Sequence, residues 1–240
     1  MAERPYTLLS CCMSLDGYID DAGQDRLLLS NAPDFDRVDA VRASCDAIMV
    51  GAATLRADNP RLLVRSQALA GERTARGEPR SPVKVTVTGA GRLDPEANFF
   101  ADDGAQKLVY CASECAPAMS LALGGAATVV DAGSPVRMAA VSEDLHGRGI
   151  RRLMVEGGSQ VHTQFLAGGL ADELQLVVAP FFVGDSRAPR LVGDAAFPWN
   201  PGRHARLVET LPLGNAVLLR YALSDRFDGA KGQEPSAAGR

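Results

Sequence analysis

Three short stretches of the chain carry residue types capable of chemistry, each at the end of an apolar run. The first is Cys12-Met13-Ser14-Leu15-Asp16-Gly17. Its polar groups are expected to face a cleft at the carboxyl end of the first strand, where open α/β sheets place their ligands. The alternative is a capping turn, with Ser14 and Asp16 bonding local backbone and Gly17 supplying a positive φ. The second stretch spans 51–65, where small residues at 51–53 admit a bulky ligand and Thr54 can donate to a phosphate or amide. Asp58 stands there among Arg56, Arg61 and Arg65. An Asx turn before Pro60 flanked by solvated arginines explains the same residues without a ligand. The third is Val155-Glu156-Gly157-Gly158-Ser159-Gln160, a strand ending in a carboxylate and a glycine pair that opens a helix. Free N–H groups and the helix dipole make that junction an anion site, although a single Gly-Gly is not the dinucleotide fingerprint. A carboxylate beside an anion-binding turn is hard to explain by packing.

The elements that position these stretches alternate in type. Short β-rich runs at 6–13, 47–51, 83–88, 108–111, 126–130, 151–155 and 174–179 are separated by segments of helical spacing, the pattern of an α/β sheet. Phe35, Val38, Val41 and Cys45 recur at helical intervals, with Asn31 or Asp34 able to cap the start and Pro33 nearby. Further helices are expected at 136–148 and 159–167. The runs at 83–88 and 151–155 are almost continuously apolar, which suits strands covered on both faces in the middle of a sheet. Toward the C-terminus, strands at 174–179, 205–209 and 216–221 predict an antiparallel edge on a mainly parallel sheet, with 183–203 lacking a helix. Residues 66–81, rich in Arg, Gly, Glu and Pro, are expected to form a mobile surface excursion. Residues 1–224 are expected to form one domain, and 225–240, nearly devoid of apolar side chains, a disordered tail.

Composition narrows the function classes. The 240 residues carry a net charge of −4, and their basic residues are dispersed, so the footprint of a nucleic-acid binder is missing. No apolar run reaches the ~18 residues of a membrane span, and the first residues lack a secretory pattern, so a cytoplasmic protein without a membrane role is expected. Five cysteines without Cys-x-x-Cys spacing read as reduced thiols, and three distant histidines offer no zinc spacing, so no metal is expected.

Taken in order and spacing, the three stretches resemble the reductase domain of bacterial riboflavin-biosynthesis deaminase/reductases and its stand-alone archaeal and fungal relatives. The resemblance covers 6–221; its most specific parts are Met13-Ser14-Leu15-Asp16-Gly17, 47–65 with Ala57-Asp58-Asn59-Pro60, and Val155-Glu156-Gly157-Gly158 followed by Leu170-Ala171-Asp172-Glu173-Leu174. It implies a dihydrofolate-reductase-like fold, a homodimer, and NADPH-dependent conversion of the ribosyl group of 5-amino-6-(5-phosphoribosylamino)uracil, or its diaminopyrimidinone counterpart, to ribityl. The resemblance places Cys12, Leu28, Thr54, Asp58, Thr88, Gly89, Gly157, Gly158, Ser159, Gln160, Val161 and His162 at NADPH. It places Arg42, Leu62, Arg65 and Glu156 at the substrate, with Asp58 and Glu156 the catalytic pair. Arg42 and Arg65 suit a phosphate because Arg grips it in a bidentate fork. The chain departs from many relatives in Leu27-Leu28-Leu29 and in Thr88-Gly89-Ala90, and it carries neither deaminase zinc signature, His-x-Glu or Pro-Cys-x-x-Cys. Two rivals remain: a reductase of the same fold acting on dihydrofolate, a pterin or another pyrimidine, and a catalytically silent nucleotide-binding protein.

Overall fold

A computed structural model describes residues 3–23, 27–227 and 229. Nine strands form one sheet: β1 (Tyr6–Met13), β2 (Ala47–Gly51), β3 (Val83–Thr88), β4 (Lys107–Cys111), β5 (Thr128–Asp131), β6 (Arg152–Gly157), β7 (Glu173–Val178), β8 (Arg206–Leu213) and β9 (Ala216–Ala222). Their order across the sheet is β5-β4-β3-β2-β6-β1-β7-β9-β8. The first seven pair in parallel, and β9 and β8 close the edge antiparallel. Every residue of β2 and β4 is buried and β6 lies at the centre, as continuous apolar runs require of two-sided strands.

Helices α1 (Ala32–Ala43), α2 (Ala52–Asp58), α3 (Gln67–Ala75), α4 (Ala116–Leu123), α5 (Met138–Gly147) and α6 (Ser159–Ala167) cover both faces. On one face Val141, Leu145, Val161 and Phe165 of α5 and α6 pack on Met49, Val85, Leu108 and Val155. On the other, Leu55 of α2 and Met119 and Leu123 of α4 pack on Ile48, Val50 and Val109. Helix α1 begins as its sequence dictates, with the Asn31 side chain accepting from Asp34 N at 3.1 Å and a proline in its first turn.

Three helices go beyond the sequence reading. The expected mobile excursion at 66–81 instead contains α3, capped by Ser66 Oγ, which accepts from Leu69 N at 3.3 Å. Its composition concealed it because the anchor is a buried arginine: Arg73 donates to the carbonyls of Ala43 (2.9 Å), Cys45 (2.8 Å) and Pro79 (2.8 Å). Those bonds satisfy orphan groups near the end of α1 and allow a charged residue inside. Helices α2 and α4 had no clear apolar stripe to announce them. The last strands run longer than expected, and β8 tolerates Pro212 because it is an edge strand. Residues 183–203 hold no helix. Of the expected tail, 228 and 230–240 lie outside the described residues, while Arg226 donates to the carbonyls of Arg4 (3.1 Å) and Pro5 (3.4 Å).

Candidate functional site

The carboxyl ends of β1, β2, β3 and β6 open into one cleft of about 1430 Å³, where parallel sheets place ligands. All sixteen residues assigned to a site from the sequence border it: Cys12, Leu28, Arg42, Thr54, Asp58, Leu62, Arg65, Thr88, Gly89, Glu156, Gly157, Gly158, Ser159, Gln160, Val161 and His162. The Ser14–Gly17 group does not. Ser14 Oγ donates to Asp16 Oδ1 at 2.6 Å, and the Asp16 carboxylate accepts from Val183 N (3.1 Å) and Gly184 N (2.8 Å). Gly17 turns the chain at φ +85°. Desolvation pushes the Asp16 carboxyl up, but these donors outweigh it and hold the pKa at about 2. The expectation that these groups face the cleft is therefore corrected: Ser14 and Gly17 form the local turn, with Tyr18 N donating to Ser14 Oγ at 3.1 Å, but Asp16 bonds distant backbone and latches the end of β1 to the loop after β7.

At the centre of the cleft the last turn of α1 meets the tip of β6. Arg42 Nε donates to Glu156 Oε1 and Arg42 Nη2 to Glu156 Oε2, both at 2.6 Å, while Nη1 donates to the Leu63 carbonyl at 3.1 Å. Burial disfavours the charged guanidinium, yet Glu156 outweighs it and raises the Arg42 pKa. The sequence reading gave these residues separate tasks, phosphate and pyrimidine. In the structure they form one fork-on-carboxylate pair, which fixes the orientation of the Glu156 carboxylate and occupies most of Arg42's donors. Arg65 is more exposed, at 54%; its Nε lies 3.8 Å from Asp39 Oδ1, its Nη2 donates to the Phe35 carbonyl at 2.8 Å, and its guanidinium lies 5.2 Å from the Phe35 ring centroid.

The segment between Asp58 and Arg65 is conformationally unusual. Asn59 caps α2 at φ +42°, and Leu62, buried at 2% exposure, sits at φ +52°. Such conformations cost a non-glycine residue energy and concentrate at functional sites. Asn98 N, donating to Asn59 Oδ1 at 2.7 Å, fastens the turn. Half-buried Asp58 ends α2 and borders the cleft.

The glycine turn is also busier than its sequence implied. Gly158 N donates to Thr54 Oγ1 at 3.1 Å, so this amide is not free for an anion and Thr54 serves as its acceptor. The amides of the first turn of α6, Ser159 to Val161, have no intrahelical acceptor and remain available. Gly157 takes φ +132°, and a Cβ there would lie 3.3 Å from His162 Nε2. The His162 ring is fully buried beneath this turn; burial lowers its pKa to about 4, and neither nitrogen has a hydrogen-bond partner among the described residues. It is a neutral prop under the cleft.

Arg37 was missed. It donates to Asp34 Oδ1 (2.8 Å) one turn back on α1, and to Gln175 Oε1 (2.5 Å) and Ser10 Oγ (3.3 Å) on two strands that spacing does not connect to it. Arg56 and Arg92, exposed on the β3 side, also line the cleft. Among the described residues no group of three or more His, Cys, Asp or Glu is placed to hold a metal ion, and no helix is long and apolar enough to cross a membrane.

A mainly parallel sheet with an antiparallel edge, cleft at the strand ends, defines the class first: the fold is that of the dihydrofolate-reductase-like pyrimidine reductases. It superposes on a pyrimidine reductase-like protein of Corynebacterium diphtheriae with a TM-score of 0.79 over 91% of each chain, at 22% identity. The chain belongs to the RibD C-terminal domain family, whose model matches residues 5–219. It is 37% identical over 225 residues to the 2,5-diamino-6-ribosylamino-4(3H)-pyrimidinone 5′-phosphate reductase of Methanothermobacter thermautotrophicus, covering 92% of this chain and 99% of that one. The enzyme of the same name from Archaeoglobus fulgidus is 35% identical over 81% of this chain and 89% of its own.

Proposed function

We propose that this chain is the NADPH-dependent reductase that converts the ribosyl group of 2,5-diamino-6-ribosylamino-4(3H)-pyrimidinone 5′-phosphate, or of 5-amino-6-(5-phosphoribosylamino)uracil, to ribityl. The observation that carries this reading is the single cleft joining the Arg42–Glu156 pair to the glycine turn of α6. At about 1430 Å³ it exceeds the roughly 300–1,000 Å³ of an ordinary small-ligand pocket and suits a dinucleotide and a second ligand together. The first-turn amides of α6 fit a pyrophosphate, and Gly157 leaves the approach clear. When bound, NADPH supplies the hydride for the ribose C1 imine.

The chain's own residues bind, orient and hold protons. Glu156, held in place by Arg42, accepts from the amino and ring N–H groups of the pyrimidine. Arg65 at the rim meets the sugar phosphate, because Arg42 is already engaged. Asp58 orients the ribose and holds the proton that accompanies reduction. Most of the acceleration then comes from positioning. The enzyme works in the cytoplasm, where its phosphorylated substrate is retained.

The test is NADPH oxidation with the phosphoribosylaminopyrimidines and with dihydrofolate side by side. Turnover with the former alone is expected. Turnover with dihydrofolate alone, or dinucleotide binding with no turnover of any of them, overturns the reading in favour of a rival.

We also propose a homodimer through the antiparallel edge. Of the patch expected at 177–183, Val177 and Ala179 are fully buried, whereas Phe182 is 72% exposed; Leu207 and Leu211 on β8 are 49% and 39% exposed. Sedimentation at micromolar concentration is expected to give twice the chain mass; a monomer there sinks the proposal.

A further inference from the structure

The segment between Leu62 and α3 is held residue by residue by side chains. Arg42 Nη1 donates to the Leu63 carbonyl at 3.1 Å, and Val64 N donates to Ser81 Oγ at 3.1 Å. Arg65 N and Ser66 N donate to Asp39 Oδ1 and Oδ2, each at 2.7 Å. Asp39 and Arg42 both belong to α1, three positions apart and therefore on one face of the helix. Helix α1 thus carries half of the central pair and also sets the course of the chain that presents Arg65 to the cleft.

Neither helix propensity nor capping accounts for Asp39. Aspartate is a poor residue inside a helix, α1 is already capped by Asn31, and α3 is capped by Ser66. A buried carboxylate is costly unless its oxygens are satisfied, and here both are filled by adjacent amides of the segment that carries Arg65. The same helix steers the Arg65 side chain. The guanidinium lies over the Phe35 ring, Nη2 donates to the Phe35 carbonyl, and Nε stands 3.8 Å from Asp39 Oδ1. That last distance is beyond a hydrogen bond, so Asp39 orients the guanidinium without consuming its donors. Leu62, immediately before the segment, keeps its φ of +52° because the surrounding bonds fix it.

We propose that Asp39 and Phe35 are positioning residues: together they hold Arg65 at the rim of the cleft in the orientation that grips the sugar phosphate, and so set the preference for a phosphorylated substrate over its dephosphorylated form. The inference rests on the assignment of Arg65 to that phosphate above and adds the groups that aim it. An arginine on an unrestrained loop loses side-chain and backbone freedom when it closes on a ligand. Held in advance by α1, Arg65 loses less, and the difference appears as affinity for the phosphate alone.

The experiment is NADPH oxidation by the full chain with the phosphoribosylaminopyrimidine and with its dephosphorylated form, for wild type, Arg65→Gln, Asp39→Asn and Phe35→Leu. The ratio of the two kcat/KM values is taken on one preparation, so a partly folded variant does not disturb it. Wild type is expected to favour the phosphorylated substrate, and Arg65→Gln to lose about 10-fold or more of that ratio, the worth of a bond to a charged group. Asp39→Asn keeps the shape but turns a donor toward one of the two amides; the ratio should fall about 10-fold, through KM, with kcat within a few-fold. Phe35→Leu removes only the ring contact and should lower the ratio about 2- to 5-fold. A wild-type ratio in Asp39→Asn, even where activity falls on both substrates alike, leaves Asp39 a purely structural residue and overturns the proposal. Should Asp39→Asn not fold, an unchanged ratio in Phe35→Leu overturns it in the same way. Equal use of both substrates by wild type, or an unchanged ratio in Arg65→Gln, means that Arg65 does not meet the phosphate; the proposal then falls with that assignment, while the reductase reading stands.

Discussion

Glu156→Gln is expected to lower turnover of the phosphoribosylaminopyrimidine about 100-fold or more, the range for removal of a preorganised electrostatic group. The size of the effect follows from the pairing with Arg42. Both oxygens of Glu156 accept from one guanidinium at 2.6 Å, and the two side chains are only 15% and 14% exposed. An amide keeps the shape but turns one acceptor into a donor facing Arg42. At an exposed, unpaired carboxylate such a change would leave stability nearly untouched. The buried pair argues otherwise: about 1–3 kcal/mol should be lost, because a desolvated guanidinium is left without its full partner. Steady-state kinetics and urea denaturation on the same preparation separate the two effects. Arg42→Lys should fall between, since it retains charge and loses the fork. Rates for Glu156→Gln within a few-fold of wild type in a folded protein would remove Glu156 from the site and leave the fold standing.

The pairing also shows where the sequence stops being informative. Elements with a clear period were legible: β2 and β3 have the bounds their apolar runs predict, and α1 starts at its Asn31 cap. Helix α3 was not, because its buried face includes Arg73, whose partners are carbonyls of the α1–β2 junction. Within the site, membership was readable because each stretch follows a strand that ends at the cleft. Partnership was not. Arg42 and Glu156 are separated by 114 positions, and Thr54 and Gly158 by 104, so only the fold reveals that groups expected to face a ligand also bond to one another. Asp16 failed for the same reason: its amide partners, Val183 and Gly184, come from the far side of β7, and Ser14 is turned to Asp16.

The glycine turn supplies the other large effect, and the structure puts it on the first glycine of the pair. Gly158 has no left-handed φ, and its added Cβ would meet only Thr54 Oγ1, at 3.0 Å. Gly157 combines φ +132° with a Cβ position 3.3 Å from His162 Nε2. The fully buried ring has little space into which to retreat. Gly157→Ala is therefore expected to destabilise the protein by about 2–4 kcal/mol, the sum of a strained conformation and local overpacking. Because the same residue joins Glu156 to the first turn of α6, any shift of its backbone moves the carboxylate and the anion-binding amides together. Dinucleotide affinity should fall at least tenfold even in the folded fraction, as a displacement of about 1 Å suffices to disrupt a positioned site. Gly157→Ala with His162→Ala should recover the steric part and retain the conformational part, which identifies the two causes. Urea denaturation with dinucleotide titration at a temperature where the variant stays folded decides the matter: wild-type affinity in folded Gly157→Ala would mean that this turn does not shape the binding cleft.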